Sequence, residues 1–255
     1  MTGGSCSCLY HGGAIKLRGI SMARQDEFAQ KSRPLTSAFE DWIDGTAFSC
    51  LGARASLRQK QLYCVELKSM LDVDSTRELH REIVGFVDRT RLHETRFSSF
   101  AAIFENPRRL SEAEFEQTLW TQLAMLRQVD REKYAWAPGV SSDPHALDFA
   151  YSVAGHPFFV VGLHSQASRI SRRFTHPVLV FNSHKQFDQL KQDGLYASLQ
   201  DKIRARELRL QGSINPNLAD FGEQPEALQY SGQPQPAEWR CPISSASATF
   251  DGMAR

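Results

Sequence analysis

Apolar residues along this chain fall into two kinds of pattern, one with helical spacing and one with alternation or short solid runs. Helical spacing comes first: Phe28, Leu35, Phe39, Trp42 and Ile43 recur three, four or seven apart and predict a helix within Asp26–Gly45. The stretch Phe48–Tyr63 reads as a turn at Gly52 followed by a short basic helix over Ala53–Gln61, and Tyr63–Leu67 then alternates as a strand. Leu79, Ile83, Phe86 and Val87 place one face of a helix over Asp74–Thr90, with Ser75 and Glu78 spaced as a capping box. Phe97–Phe104 predicts a strand, closed by Asn106-Pro107. Ser111 and Glu114 form a second capping box, opening a helix to about Val129 that carries Phe115, Leu119, Leu123 and Leu126 on one side.

The second half turns on Gly155–Phe187. Asp148–Ala154 reads as a short strand turned at Gly155. Phe158–Leu163 and Pro177–Phe181 are compact runs rich in aromatic and β-branched residues, so both predict strands. His164 closes the first run and His184 lies three residues past the second, with Ser168, Arg169, Ser171, Arg172 and Arg173 in the connecting turn. Helices are predicted over Asp188–Tyr196 and Ala197–Arg209. From Gln211 onward Pro, Gly and amide residues dominate, yet Ile214, Phe221, Tyr230 and Trp239 need cover, which predicts an ordered functional loop. The expected fold is α+β: a single domain over residues 22–243, built as a mostly antiparallel sheet packed with helices. Residues 1–21 are expected to be a disordered extension, with Met22 as an alternative start to Met1, and 244–255 a flexible tail.

Bulk properties narrow the function classes. A chain of 255 residues with 41% hydrophobic and 23% charged residues can bury a sizeable core. A formal net charge of +1 gives no global pull toward nucleic acid or an acidic membrane, so neither is an expected partner. No apolar run reaches the ~20 residues that span a bilayer. Five cysteines with no CxxC pair point to a reducing, cytoplasmic setting. Phosphate-loop, dinucleotide, zinc-peptidase and nucleophile-elbow motifs are absent. Two imidazoles at strand ends with guanidiniums in the turn suggest a site for a metal and an anionic group; hydrogen-bonded strand-end histidines with surface arginines are the plainer alternative. Cys50, placed before a helix start, is either a thiolate favoured by backbone N–H groups or a small buried residue.

Several segments together resemble the YqcI/YcgG family. They are FSCLGARASL at 48–57, SFAAIFENP at 99–107, EFEQTLWTQL at 114–123, FFVVGLHSQASRISRRF at 158–174, PVLVFNSHKQFDQL at 177–190, LQGSINPNLADFGE at 210–223, EALQYSGQ at 226–233 and WRCP at 239–242. The order matches over roughly residues 48–243, with departures at Ser165, Pro225, Gln233 and Ile243. Members of that family include haem-dependent N-hydroxylases. The resemblance implies a haem b monooxygenase, an oxidoreductase that N-hydroxylates a guanidino or amino group of a small amino-acid-like substrate. It would use O2 and electrons from an external reductase. It implies His164 as iron ligand, with His184 as the second choice or as an acid/base on the oxygen side, and Cys50 as the third. Arg169, Arg172 and Arg173 would meet the haem propionates. Ser168, Asn182, Asn215 and Gln229 join the cofactor contacts, and Tyr230 and Glu223 join His184 as catalytic candidates, with Glu226 among the polar partners for substrate. Two alternatives stand beside this expectation: a non-catalytic haem carrier or sensor, and a non-haem metal enzyme using His164 and His184.

Overall fold

The structure, a computed structural model, describes residues 33–243 other than 91, 93 and 94. The predicted extension, the start of the first helix and the tail fall outside these residues. The first helix, α1, is Leu35–Asp44, and its stripe of Phe39 and Ile43 is buried. Helix α2, Leu51–Arg58, starts two residues before the predicted one. Strand β1 is Leu62–Ser69 and leads into α3, Val73–Arg89. Ser75 is not the α3 cap: Asp72 is, its carboxylate accepting the Ser75 amide at 2.8 Å. Strand β2, Ser99–Asn106, follows, and then α4, Glu112–Asp130, where the Ser111–Glu114 capping box is formed as expected.

A short β3, Tyr151–Val153, turns at Ala154-Gly155 into β4, His156–Leu163. A single 3-10 turn at Ile170–Arg172 precedes β5, Val178–Ser183. Helix α5, His184–Gln192, begins directly on the last residue of β5, four residues ahead of the predicted start. Helix α6, Tyr196–Gln211, comes next, and a second 3-10 turn at Glu226–Gln229 lies in the ordered late loop.

The five strands form one sheet in the order β1-β2-β5-β4-β3, with β1 and β2 parallel and the remaining pairs antiparallel. The fold is therefore one α+β domain with a mostly antiparallel sheet, as the pattern implied.

Strand pleating sends alternate residues to opposite faces. Phe100, Ala102, Phe104, Phe158, Val160, Leu179 and Phe181 meet the apolar sides of α3 and α4, together with Tyr151, Tyr230 and Trp239. Ala101, Ile103, Leu163, Val178 and Val180 face the other way, toward Phe39, Ile43, Phe48 and Phe174. The sheet thus lies between two layers, one tightly packed and one that leaves space. Among the described residues no helix is long and apolar enough to cross a membrane.

Candidate functional site

The space on the second face is a cavity of about 350 Å³. Its floor is the pleat of the sheet, with Ser99, Phe159, Val161, Leu163, Val180 and Asn182 pointing up into it. Helices α1 and α2 wall one side; α5, α6 and the late loop close the other. The volume lies within the range of small-molecule and cofactor pockets, and the lining is mostly apolar and aromatic with a few polar groups.

His184 is the imidazole in this cavity. Ser183 caps α5, accepting the Lys185 amide, and this places His184 at the first helical position. Its Nε2 lies 2.9 Å from Oε2 of Glu226, a carboxylate that is only 3% exposed. The Tyr230 hydroxyl donates to the other Glu226 oxygen and accepts the Tyr151 amide at 3.2 Å. The 3-10 turn Glu226–Gln229 ends at Tyr230, and the two side chains of Glu226 and Tyr230 meet directly. Burial pushes the Glu226 carboxyl above its ordinary range, against the pull of His184 and Tyr230. The Tyr230 phenol is held neutral by its own burial and the adjacent carboxylate. Phe221 and Phe187 meet the His184 ring edge-on, at 4.8 and 6.1 Å between centroids.

Cys50 lines the same cavity at the N-cap of α2. The predicted tendency toward thiolate is reversed. Burial raises the thiol pKa, outweighing the opposing backbone hydrogen bonds at Ala53 and Gly52 and the Arg172 charge, so Cys50 is a neutral thiol. Arg172 also reaches the cavity, but its guanidinium is committed to backbone: it donates to the carbonyls of Gly162, Tyr230 and Gln229 at 2.9, 3.2 and 3.1 Å. Burial lowers its pKa to about 10, which leaves it charged near neutral pH. It staples β4 to the loop that presents Glu226 and Gln229.

The other predicted residues divide cleanly. Asn182 and Gln229 line the cavity; Asn182 accepts the Ser99 hydroxyl at 2.7 Å and Gln229 donates to the Ala219 carbonyl at 3.3 Å. His164 does not join His184. The antiparallel register pairs Leu163 with Val178 and Phe158 with Ser183, so the two histidines lie beyond opposite ends of the β4–β5 ladder. At about 3.3 Å per residue those end rungs are roughly 17 Å apart. His164 is instead buried against Phe115, the rings stacked at 4.3 Å, and burial lowers its pKa. Arg169 pairs with Glu207 and Arg173 donates to the Ala167 and Ser168 carbonyls, so neither reaches the cavity. Ser168 donates to Glu112. Asn215 shapes a turn by accepting the Asn217 amide, and Glu223 is exposed, accepting the Asp220 amide. Of the two imidazoles and three guanidiniums expected in a single pocket, only His184 and Arg172 line the cavity, with Cys50 beside them.

Sequence reasoning missed the cavity cations Arg96, Lys191 and Arg204. Arg204 sits in the helix predicted over Ala197–Arg209, whose charges read most simply as a solvated face. Among the described residues no three His, Cys, Asp or Glu side chains converge as a ligand set for a bare ion.

Fold and site together define an α+β protein with one large apolar cavity that holds a carboxylate-backed histidine. The YqcI/YcgG family model matches residues 39–244, and the chain belongs to that family. No curated protein matches the chain, and no solved structure does.

The residues present suit the haem that the resemblance implies. A porphyrin supplies four ligands to its iron, so the protein need give only one or two. A metal-ligating histidine characteristically has its second nitrogen beside a carboxylate, and the Glu226 carboxylate lies 2.9 Å from Nε2 of His184. The apolar floor and the aromatic side chains of the walls match a flat apolar ring, and Lys191 and Arg204 offer cations to its carboxylates, while Arg96 is paired with Asp193 at 2.7 Å.

Proposed function

We propose that this protein is a haem-dependent oxygenase that N-hydroxylates a guanidino or amino group of a small amino-acid-like substrate. The observation that carries the reading is the buried His184–Glu226–Tyr230 chain opening into an aromatic cavity. It is joined to the family membership. His184 would ligate the iron, with Glu226 fixing the ring and Tyr230 fixing Glu226. Lys191 and Arg204 would hold the propionates. Bound haem supplies oxygen activation: one oxygen atom of O2 enters the N–H bond and the other leaves as water, with two electrons and two protons from outside.

The chain's own residues do the remaining work. Phe159, Phe187 and Phe221 keep water away from the reacting nitrogen. Asn182 and Gln229 present amides that can orient a polar substrate, and Cys50, a neutral thiol, packs without charge. Electrons are assigned to an external reductase, because the chain has no flavin or nicotinamide motif.

The test is the absorption spectrum of protein purified from cells fed a haem precursor. A Soret band is expected in the wild type, in His164→Ala and in Cys50→Ser, and its loss is expected in His184→Ala. A band kept in His184→Ala and lost in His164→Ala would overturn the ligand assignment. A band absent from the wild type would overturn the cofactor. Turnover with a reductase, O2 and arginine-like compounds is expected to give a hydroxyguanidine or hydroxylamine. A haem-loaded protein that forms neither would be a carrier.

A further inference from the structure

Helix α6 differs from every packed helix of this fold. None of its sixteen residues is buried, whereas α4, of nineteen residues, buries nine. Leu199 and Ile203 look into the cavity, so the space itself lies beneath α6 where a core would normally be. Polar links hold the helix in place. Arg206 donates to the Phe48 and Ser49 carbonyls at 3.1 and 3.2 Å. Glu207 accepts Arg169 and Ser171 at 2.9 and 3.1 Å. At the first turn, Tyr196 and Gln200 both donate to Asp220, at 3.1 and 2.6 Å.

Both ends of α6 are glycine joints. Gly194 and Gly212 have φ of +68° and +77°, and nothing lies within 4 Å of where a side chain would sit at either. Glycine adopts this region without the strain other residues meet. A helix with no fully buried residue, held over a cavity by a few polar links and flanked by two permissive joints, occupies the low-stability end of a fold, even though one of those links, Glu207 to Arg169, is largely out of water.

We propose that α6 is a lid over the cavity, hinged at Gly194 and Gly212 and latched by Arg206 and Glu207, and that ligands enter when it lifts. Arg169, assigned above to an ion pair rather than to cofactor, acquires a role as the fixed half of the latch. The proposal depends on the cavity and not on what fills it.

Hydrogen–deuterium exchange on the purified, haem-free chain tests the lid directly. Amides of α6 are expected to exchange at least about tenfold faster than those of β2, β5 and α4. Protection of α6 equal to the sheet would overturn the proposal. The second arm follows 8-anilinonaphthalene-1-sulfonate by stopped-flow fluorescence. In the Arg206→Ala, Glu207→Gln double variant its association rate is expected to rise about fivefold, with β2 and α4 exchange unchanged. An unchanged rate would overturn the latch, and dye that never binds despite fast exchange would overturn α6 as the route of entry. Neither arm contains haem, so failure of the cofactor reading and failure of the lid are read on different instruments.

Discussion

His156 shows how one side chain on the packed face sets a pH limit. Its Nε2 lies 2.7 Å from the Ser183 hydroxyl, beneath the start of α5, and it is 6% exposed. Burial, with Lys185 and His184 adding repulsion, lowers its pKa from 6.5 to about 4. As pH falls, the unfolded chain therefore takes up this proton before the folded one does. The associated stability is complete above pH 6.5 and is lost on the way down toward pH 4. The shift corresponds to a loss on the order of 3 kcal/mol at the acid end. His156→Gln is expected to keep a hydrogen bond to Ser183 while flattening this limb, measured by urea unfolding of the haem-free chain at several pH values. Arg172 makes a sharper test of geometry. Its fork serves three carbonyls, and Gly232 passes so close that a Cβ there would sit 3.2 Å from the guanidinium. Arg172→Lys, with one ammonium in place of the fork, is expected to destabilise by about 2 kcal/mol in denaturant titration. Single residues were also where the sequence misled. Arg169, Arg172 and Arg173 look alike in a row of letters, and only the fold tells which carbonyl or carboxylate each one meets.

Elements were more legible than sites. Apolar stripes and helix-forming composition located the six helices of the described residues, because each depends on contacts within a few residues or on one apolar stripe. Boundaries slipped where tertiary contacts decided them. Helix α5 starts on His184 because Ser183 ends a strand and caps a helix at once, a dual role no local pattern announces. Asp72 displaced Ser75 as the α3 cap, and Ser75 instead accepts the Ser69 amide at 3.4 Å. The strand-end histidines were legible as residues, but their separation was not. Adjacent antiparallel strands put the ends of two consecutive runs at opposite edges, which depends on pairing rather than on spacing. Gly162 carries the packing of β4 on α4: a Cβ there would lie 2.6 and 2.7 Å from Phe115 and Leu119. Gly162→Ala is expected to destabilise by about 1–3 kcal/mol, read from the urea midpoint. Because residue 162 faces away from the cavity, haem uptake at low denaturant is expected to survive.

At the scale of the whole molecule, the late loop ties the two layers together. Glu226 and Gln229 line the cavity on one face, while Tyr230, Trp239 and Cys241 lie in the core of the other. Trp239 donates to the buried Glu116 at 2.8 Å and its ring lies 5.9 Å from Trp120. Trp239→Ala is expected to lower stability by about 3–5 kcal/mol in urea titration. Global unfolding then releases the cavity and core together, so tryptophan fluorescence and far-ultraviolet circular dichroism should give coincident midpoints. The large apolar residues of this loop, Ile214, Phe221, Tyr230 and Trp239, marked it as ordered, yet its route could not be read from the sequence, because the hydrogen bonds that steer it join residues far apart, as with Trp239 and Glu116. The pleat separates two design problems. Val161 and Val180 form the cavity floor, whereas Val160, Leu179 and Phe181 on the reverse side belong to the core. Trimming or bulking the two valines therefore offers a graded way to resize the chamber for a different guest, with the load-carrying side of the same strands left as it is.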